Sequence, residues 1–541
     1  MHSEILQTTA AFPNVQGTCF WVAGAARSGI AAALLLKQRG ARVFVSDSAP
    51  ISQESKVLLT NAGIAFEEST HTIADFLQSA DFLVLSPAIP LCKGLALVAL
   101  QNGIPILSEI EVASWCLQPS QTVVGITGTN GKSTVTHYLA QLFERAGKKA
   151  VACGNIGLPF ASALAGSTPP EVFSLELSSY QLETTHSLRP AATVLLNLQS
   201  DHLARYQSME QYLRAKWRLA LLTSDSGVCA VDYFMLTLAV KLGLPLPACK
   251  IIVLNFPWPQ SSQARQKVLN HLGNGSQKLP ISTYQQLSDI SAARLLASTQ
   301  FGSAWVEKSS SGSAKFKYVC DEKHFEHTFA DPCLPGDHNL QNLGAASAAA
   351  LFLGVRPNIV FGQWESATSS YVHLPHRLEF VGGRTVQVQD MQGRTKTISI
   401  VNDSKATNVE SALVALKSFS QNVRLLLGGE PKGESFEPLA RFFPTPVVRC
   451  YAFGAAASLV TKELEGSAPL QAFPGMLAAP SQQLLEAAAA ALEDAVDGDV
   501  ILLSPACASF DEFKNFEHRG DIFRGWALKL VGSSRHPLQE K

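Results

Sequence analysis

The feature that constrains this chain most is a strand-like run that leads through a Gly-rich turn into a helical stretch. Residues 122–126 are apolar and mostly β-branched, and residues 135–146 have helical periodicity. Between them lies Gly-Thr-Asn-Gly-Lys-Ser-Thr, residues 128–134. This order is typical of a phosphate-binding loop, although Gly125 stands one residue earlier than the standard spacing requires. Backbone amides and the helix N-terminus would bind an anion, Lys132 would reach terminal phosphates, and Ser133 would ligate magnesium.

Length and composition narrow the class of protein. The 541 residues predict about three domains, at roughly 150 residues each. A 46% hydrophobic content supports ordinary buried cores, and a net charge of -1 gives no overall field for nucleic acid or anionic lipid. We find no apolar run long enough to span a bilayer, and the ten cysteines contain no CxxC spacing. These features predict a cytoplasmic protein without nucleic-acid partners or a membrane span.

The chain restarts an alternation of apolar runs and helical stretches three times. This pattern predicts an α/β protein with a Rossmann-like N-terminal domain, a central P-loop ATPase-like domain with a parallel sheet, and a Rossmann-like C-terminal domain. We place them at residues 1–110, 111–373 and 374–541. Between about 240 and 330 the pattern weakens into Pro-, Ser- and Gln-rich sequence, which predicts an insertion with loops that is partly ordered around 251–254.

Two polar groups follow strand-like runs and are candidates for a metal site. Glu176 comes after the run at 172–175, and His202 follows the run at 193–196. Because the carboxyl ends of parallel strands share one sheet edge, both should lie beside the Gly-rich loop. Glu176 and Ser133 offer the oxygen ligands that magnesium prefers, with His202 a less usual nitrogen ligand. Taken alone, Glu176 would equally suit a helix cap.

Lys216 lies within the apolar stripe of the helical stretch that follows Ser208. Periodicity alone predicts that such a lysine extends its ammonium group to solvent.

Several motifs together resemble the Mur ligase family. They are the Gly-rich loop, Gly154-Asn155-Ile156-Gly157, Arg214-Ala215-Lys216, the block Asn-Asp-Ser-Lys-Ala-Thr-Asn at 402–408, Gly-Gly-Glu-Pro-Lys-Gly at 428–433, and residues 503–520. The block at 402–408 is similar to the branch of that family that adds D-glutamate. The resemblance covers about residues 17 to 530, apart from the insertion.

The resemblance implies an ATP-dependent, ADP-forming amide ligase of peptidoglycan precursor synthesis. Its substrates would be UDP-N-acetylmuramoyl-L-alanine, D-glutamate and ATP, joined through an acyl phosphate. Two Mg²⁺ ions and a carbamylated Lys216 are implied by the family alone, and we expect a monomer. A dicarboxylate amino acid also needs cations and hydroxyl groups, which Lys432, Thr407 and Ser509 supply.

The family's site residues map onto matching positions here. The resemblance assigns catalysis to Lys132, Asn155, His202 and Lys216, and the metal site to Ser133, Glu176, His202 and Lys216. It assigns ATP binding to Gly128, Thr129, Asn130, Gly131, Lys132, Ser133, Thr134, Asn339, Asn342, Arg377, Asp403 and Lys405. It assigns the UDP substrate to Arg27, Ser28, Asp47, Ser48, Ser86, Pro87 and Asn155. It assigns D-glutamate to Thr407, Lys432, Ser509, Phe510 and Phe516.

Three alternatives remain open at this point. A sister Mur ligase or a folylpolyglutamate-type ligase would use another acceptor or amino acid. A regulatory P-loop switch would bind nucleotide without ligase chemistry. A dinucleotide oxidoreductase would use Gly24-Ala25-Ala26-Arg27-Ser28-Gly29, but Ala26 replaces the glycine that permits close approach of a pyrophosphate, which makes NAD binding unfavourable.

Overall fold

The chain forms α/β layers built on three sheets. The computed structural model describes residues 15–166, 168–199, 205–206, 208–255, 301–308, 313–320, 323–329, 337–364, 375–390, 392–420, 422–466, 470–473 and 482–532. It divides into two compact units, Met1–Leu334 with Asn339–Tyr371, and Pro335–His338 with Val372–Lys541. The first unit contains two of the sheets and the second unit contains the third. The predicted α/β class is confirmed.

The first sheet is fully parallel, with strand order β3-β2-β1-β4-β5. Its strands are β1 (Cys19–Ala23), β2 (Arg42–Asp47), β3 (Ala65–Glu68), β4 (Phe82–Leu85) and β5 (Ile106–Leu107). The helices between and after them are α1 (Arg27–Gln38), α2 (Gln53–Asn61), α3 (Ile73–Ser79), α4 (Gly94–Gln101) and α5 (Glu109–Ser114). The central position of β1 places the turn after it between the ends of β2 and β4.

The second sheet has nine strands in the order β14-β13-β12-β11-β10-β9-β6-β8-β7. These are β6 (Thr122–Thr127), β7 (Ala150–Gly154), β8 (Val172–Glu176), β9 (Ala192–Leu195), β10 (Val228–Asp232), β11 (Lys250–Leu254), β12 (Phe301–Lys308), β13 (Ala314–Cys320) and β14 (Lys323–Phe329). Its helices are α6 (Lys132–Arg145), α7 (Phe160–Ala165), α8 (Ser179–Leu182), α9 (Met209–Leu222), α10 (Tyr233–Lys241), α11 (Asp337–Phe352) and α12 (Pro357–Phe361). Since β6 lies between β8 and β9, the three polar turns that follow these strands are neighbours.

The region from about 240 to 330 contains more regular structure than the sequence pattern predicted. β11 includes the expected ordered segment, and β12 to β14 continue the same sheet. β13 alternates buried and half-buried residues along Ala314–Cys320, the period of an antiparallel strand with one covered face. Lysines at alternate positions concealed that period in the sequence. The Pro- and Ser-rich stretch at 257–262 lies outside the described residues.

The second unit has a seven-stranded sheet whose main path is β15-β17-β21-β18-β19-β20, with β16 paired to β17. The strands are β15 (Glu379–Phe380), β16 (Val386–Gln389), β17 (Thr395–Asn402), β18 (Val423–Gly428), β19 (Val447–Phe453), β20 (Leu470–Phe473) and β21 (Val500–Leu503). The α-helices are α13 (Val409–Leu416), α14 (Ala457–Glu463), α15 (Gln482–Asp494) and α16 (Phe516–Gly532), with a 3₁₀ helix at Glu437–Phe442. Its parallel strands β17, β21, β18, β19 and β20 end at one edge.

Helices cover both faces of the central sheet, which explains why β6 is continuously apolar. Val124 and Ile126 belong to the core under α6 and α11, whereas Val123 belongs to the core on the opposite face. Strands buried on both faces lack a polar alternation. Among the described residues, no helix combines the length and hydropathy that a bilayer crossing requires.

A buried carboxylate joins the first two sheets within the first unit. Glu111 on α5 is fully buried and accepts hydrogen bonds from the amides of His186 (2.7 Å) and Ser187 (3.0 Å) and from the indole N–H of Trp115 (3.1 Å). Residues of α1 and α5 also share a hydrophobic core with α7 and β8. The first sheet and the central sheet are therefore connected by both polar and apolar contacts.

Replacing Glu111 with glutamine tests this joint. An amide NH₂ group would face the backbone N–H groups of residues 186–187, so we expect the free energy of local opening to fall by about 2 kcal/mol. Hydrogen exchange at the Ser187 amide should become roughly 30-fold faster. The control Glu144→Gln changes an exposed carboxylate on α6 and should leave that rate unchanged. Unchanged protection in Glu111→Gln would contradict the assigned role.

Candidate active site

The Gly-rich loop forms a tight turn between β6 and α6. Gly128 and Gly131 have φ values of 152° and 84°, a region that L side chains rarely adopt. Lys132 folds back, and its Nζ donates to the carbonyl oxygens of Gly128 (3.0 Å) and Thr129 (2.7 Å). Ser133 and Thr134, in the first turn of the 14-residue helix α6, are buried. The predicted strand, loop and helix are therefore all present.

Two asparagines of α11 lie against this loop. A Cβ atom added to Gly131 would stand 2.2 Å from Oδ1 of Asn342, so only glycine fits there. The Asn342 amide donates to Oδ1 of Asn339 at 3.2 Å, and both side chains are buried. The structure thus brings these two predicted ATP-binding residues to the loop.

Glu176 ends β8 beside the loop and presents an unsatisfied carboxylate oxygen. Its Oε1 accepts from Nδ2 of Asn155 at 2.9 Å, while its buried Oε2 has no hydrogen-bond partner among the described residues. Gly154 permits this approach, since a Cβ there would lie 2.3 Å from the Glu176 carbonyl oxygen. A buried carboxylate oxygen without a donor fits a divalent cation. His202 lies outside the described residues.

Lys216 points inward from α9, so the expectation from periodicity was wrong. The residue is 1% exposed, and its Nζ donates to the carbonyl oxygen of Gly128 at 2.8 Å. The ammonium also lies 4.5 Å from the centre of the Tyr212 ring. Because Gly128 accepts hydrogen bonds from both Lys132 and Lys216, two positive charges converge on the Gly-rich loop.

The predicted UDP-binding residues gather at the carboxyl edge of the first sheet. Arg27 and Ser28 follow β1, Asp47 and Ser48 follow β2, and Ser86 and Pro87 follow β4.

Two of these residues already contact protein groups. The carboxylate of Asp47 accepts from the amides of Ala25 (2.7 Å) and Ala49 (2.9 Å), and therefore orders two turns. Arg27 donates to the carbonyl oxygen of Gly157 at 3.3 Å, which brings the first sheet next to the Asn155 turn.

Sequence reasoning missed Arg205. Its guanidinium donates to the carbonyl oxygen of Pro87 at 3.2 Å, forms an ion pair with Glu183, and lies 4.2 Å from the centre of the Tyr180 ring. It therefore ties the Ser86–Pro87 turn to the central sheet. Its position near the His202 motif was the available signal.

In the second unit, Asp403 follows β17 and is buried. Its carboxylate accepts from the Ser504 hydroxyl (2.9 Å) and from the Leu378 amide (3.2 Å). Burial raises the pKa of Asp403 to about 7, although the Ser504 hydrogen bond and the charge of half-buried Arg377 oppose that rise. Lys405, two residues further on, holds its Nζ 5.6 Å from the centre of the Phe516 ring.

The predicted D-glutamate residues lie at the same edge of this sheet. Nζ of Lys432 is 3.4 Å from Oγ1 of Thr407, and Lys432 is exposed. Ser509 is buried, whereas Phe510 is 69% exposed. The segment carrying them is fixed by a backbone pair between Glu430 and Ala508. An exposed cation, a hydroxyl group and an uncovered ring suit a small charged ligand.

Arg519 holds these turns together and was not predicted. It is fully buried, and it donates to the Ser404 carbonyl oxygen (2.9 Å), the Cys507 carbonyl oxygen (3.1 Å) and the Ala508 carbonyl oxygen (3.0 Å). Burial lowers the pKa of its guanidinium to about 10. It connects the Asp403–Lys405 turn to the Ser509 turn. Its presence in the motif at 503–520 was the only sequence signal.

Comparison with known proteins identifies related sequences over nearly the whole chain. Family models described as the Mur ligase middle domain and the MurD N-terminal domain match residues 126–235 and 24–92. A UDP-N-acetylmuramoylalanine–D-glutamate ligase of Myxococcus xanthus is 35% identical, covering 93% of this chain and 96% of its own. Proteins of the same name from Salinibacter ruber and Koribacter versatilis are 33% and 32% identical, covering 94% and 96% of this chain and 98% and 99% of their own.

Solved structures have the same fold at lower identity. The UDP-N-acetylmuramate–alanine ligase MurC of Thermotoga maritima aligns with a TM-score of 0.51 at 14% identity, covering 95% of this chain and 99% of its own. The MurF ligase of that organism, solved in complex with ADP, aligns with a TM-score of 0.50 at 14% identity, covering 89% and 94%. This likeness confirms the predicted three-domain architecture.

The buried carboxyl of Asp403 predicts a defined pH dependence of stability. Its pKa rises from 3.8 to about 7 on folding, so the folded state keeps a proton that the unfolded state releases in this window. Its contribution to stability is therefore present at low pH and is lost as the pH rises toward 7.

Asp403→Asn should remove this dependence. Urea titrations between pH 5 and pH 7 should show the variant gaining on the wild type by up to about 1.4 kcal/mol per pH unit. The exposed Glu465→Gln is the control and should follow the wild-type curve. Parallel curves for Asp403→Asn and the wild type would show that Asp403 keeps an ordinary pKa.

Proposed function

This chain belongs to the Mur ligase family, in the group of UDP-N-acetylmuramoylalanine–D-glutamate ligases, and we propose that its Gly-rich loop and sheet edges carry out that group's reaction. The chain is an ADP-forming ligase that adds D-glutamate to UDP-N-acetylmuramoyl-L-alanine in peptidoglycan precursor synthesis. Membership favours this reading over a regulatory switch or a dinucleotide oxidoreductase. The reaction belongs in the cytoplasm, where its ATP and nucleotide-linked precursor are made.

The reaction needs two displacement steps because a carboxylate is a poor electrophile. The alanyl carboxylate attacks the γ-phosphorus of ATP, forming an acyl phosphate and releasing ADP. The amine of D-glutamate then attacks the acyl carbon, loses a proton and displaces inorganic phosphate. Both transition states accumulate negative charge on oxygen, so fixed positive charge and hydrogen-bond donors are the groups that accelerate them.

The first unit supplies groups suited to the phosphoryl step. The N-terminus of α6 and the ammonium of Lys132 would hold the phosphates, with Lys132 leaving the loop carbonyls to do so. Asn155, held against Glu176, would orient the precursor near its reacting carboxylate. Arg27, Ser28, Asp47, Ser48, Ser86 and Pro87 would hold its UDP end. Asn339 and Asn342 would bind the nucleoside.

Magnesium fits the donor set that surrounds the loop. Ser133 offers a hydroxyl group, Glu176 a buried and unsatisfied carboxylate oxygen, and His202 a ring nitrogen. When bound, two Mg²⁺ ions would neutralise phosphate charge and polarise the transferred group. Carbamylation would turn the buried ammonium of Lys216 into an anionic oxygen ligand and remove one of the two positive charges that converge on Gly128.

The second unit supplies groups suited to the amino acid. Lys432 and Thr407 lie side by side, and Ser509, Phe510 and Phe516 complete the proposed D-glutamate pocket. A cation with adjacent hydroxyl groups matches the two carboxylates of glutamate. Arg377, Asp403 and Lys405 are proposed ATP-side residues. A monomeric state remains a prediction.

One observation carries the proposal: relatives of one name match this chain from end to end at 30% identity or more. The test is phosphate release from ATP and magnesium with UDP-N-acetylmuramoyl-L-alanine, comparing D-glutamate with L-glutamate and other amino acids. We expect release coupled to a D-glutamate adduct of the correct mass. Turnover with a different amino acid would instead identify a sister ligase, and no turnover despite ATP binding would contradict ligase activity.

Lys216→Ala tests the proposed modification. Loss of a metal ligand should lower kcat on the order of 10²-fold or more. Wild-type protein equilibrated with ¹³C-bicarbonate should show a carbamate carbon resonance that Lys216→Ala lacks. Lys241→Ala, an exposed lysine on the neighbouring helix α10, should keep both activity and resonance. Absence of the resonance from active wild-type enzyme would contradict carbamylation.

A further inference from the structure

The turn after β9 braces the Gly-rich loop through one side chain that the mechanism above does not use. Oδ1 of Asn197 accepts from the amides of Thr129 (3.1 Å) and Asn130 (2.8 Å), and its Nδ2 donates to the Asn130 carbonyl oxygen at 2.9 Å. The carbonyl oxygen of Asn197 also accepts from the Thr129 amide at 3.0 Å. One carboxamide therefore pairs with the backbone of two consecutive loop residues.

The neighbouring Gln199 adds to the same contact. Its amide donates to Oγ1 of Thr129 at 3.0 Å, and its Oε1 accepts from the side chain of Asn130 at 2.6 Å. The loop is thus held along its length by a segment that is almost seventy residues distant in sequence. A loop with two glycines at positive φ does not hold one conformation by local preference alone, because glycine loses more backbone freedom on ordering than any other residue.

These contacts also decide which amides of the loop can serve an anion. The N–H groups of Thr129 and Asn130 point at Asn197 and are therefore occupied by protein. Phosphate recognition consequently falls to the part of the loop from Gly131 onward, at the N-terminus of α6. Asn197 separates a braced first half of the loop from a second half that meets the ligand.

We propose that Asn197 is a positioning residue that keeps the Gly-rich loop in its nucleotide-binding conformation. The inference rests on the proposed ATP site. It acts through the backbone of Thr129 and Asn130 and needs no contact with ATP. Without the brace the loop samples other conformations, and the apparent affinity for ATP falls in proportion to the fraction of molecules that remain competent.

The test compares Asn197→Ala with Asn197→Asp. Alanine removes all three side-chain hydrogen bonds. Aspartate keeps both acceptor contacts but places a carboxylate oxygen against the Asn130 carbonyl oxygen and adds negative charge near the phosphates. We expect Kd and KM for ATP to rise about tenfold or more in both variants. KM for D-glutamate should stay within about twofold, and kcat at saturating ATP should fall less than KM rises.

Asn102→Ala is the matched control, since Asn102 is an exposed asparagine that also donates to a backbone carbonyl, that of Val98. It should leave every constant unchanged. A general loss of structure would instead lower Tm and raise all KM values together, and that result would overturn the positioning role, as would unchanged ATP binding. If the alanine variant does not fold, the aspartate variant decides alone. Failure of the wild type to bind ATP would refute the proposed ATP site itself.

Discussion

The site depends on where parallel strands end. In a parallel sheet every strand delivers its carboxyl end to one edge, and there the backbone leaves the ladder and its polar groups become available. β6, β8 and β9 are neighbours, so the Gly-rich loop, Glu176 and Asn197 meet although nearly seventy residues separate the first from the last. The same rule gathers Asp403 and Ser509 at the edge of the third sheet. The edge fixes which turns meet, and the side chains in those turns determine the chemistry.

Close approach imposes a second constraint on the edges. The glycine at 131 contacts Asn342, and the glycine at 154 contacts the Glu176 backbone, so side chains at either place would separate groups that the proposed reaction needs together. These glycines also have positive φ. Space and conformation therefore select the same residue type, and both glycines border the nucleotide loop.

The sequence predicted the parts of this protein that rest on local patterns. Strand, glycines, Lys132 and helix appear in one continuous stretch, and Glu176 directly follows an apolar run, so both could be placed beforehand. The direction of Lys216 could not, because periodicity identifies the apolar face of α9 but not that a carbonyl oxygen waits inside it. Asn197 and Arg519 act on backbone atoms far away in the chain, and no residue pattern records such partners. β13 was missed because lysines alternate with its buried side chains.

Glu111 gives the first unit a property that matters for a long substrate. A carboxylate that accepts hydrogen bonds from the backbone at residues 186–187, inside a core shared by α1, α5 and α7, leaves little freedom for the first sheet to turn against the second. In the proposed reaction the precursor is gripped by its nucleotide at the first sheet and reacts at its far end beside the second. The rigid joint then works as a gauge of length: a precursor whose stem is one residue too short or too long brings the wrong atom to the phosphate.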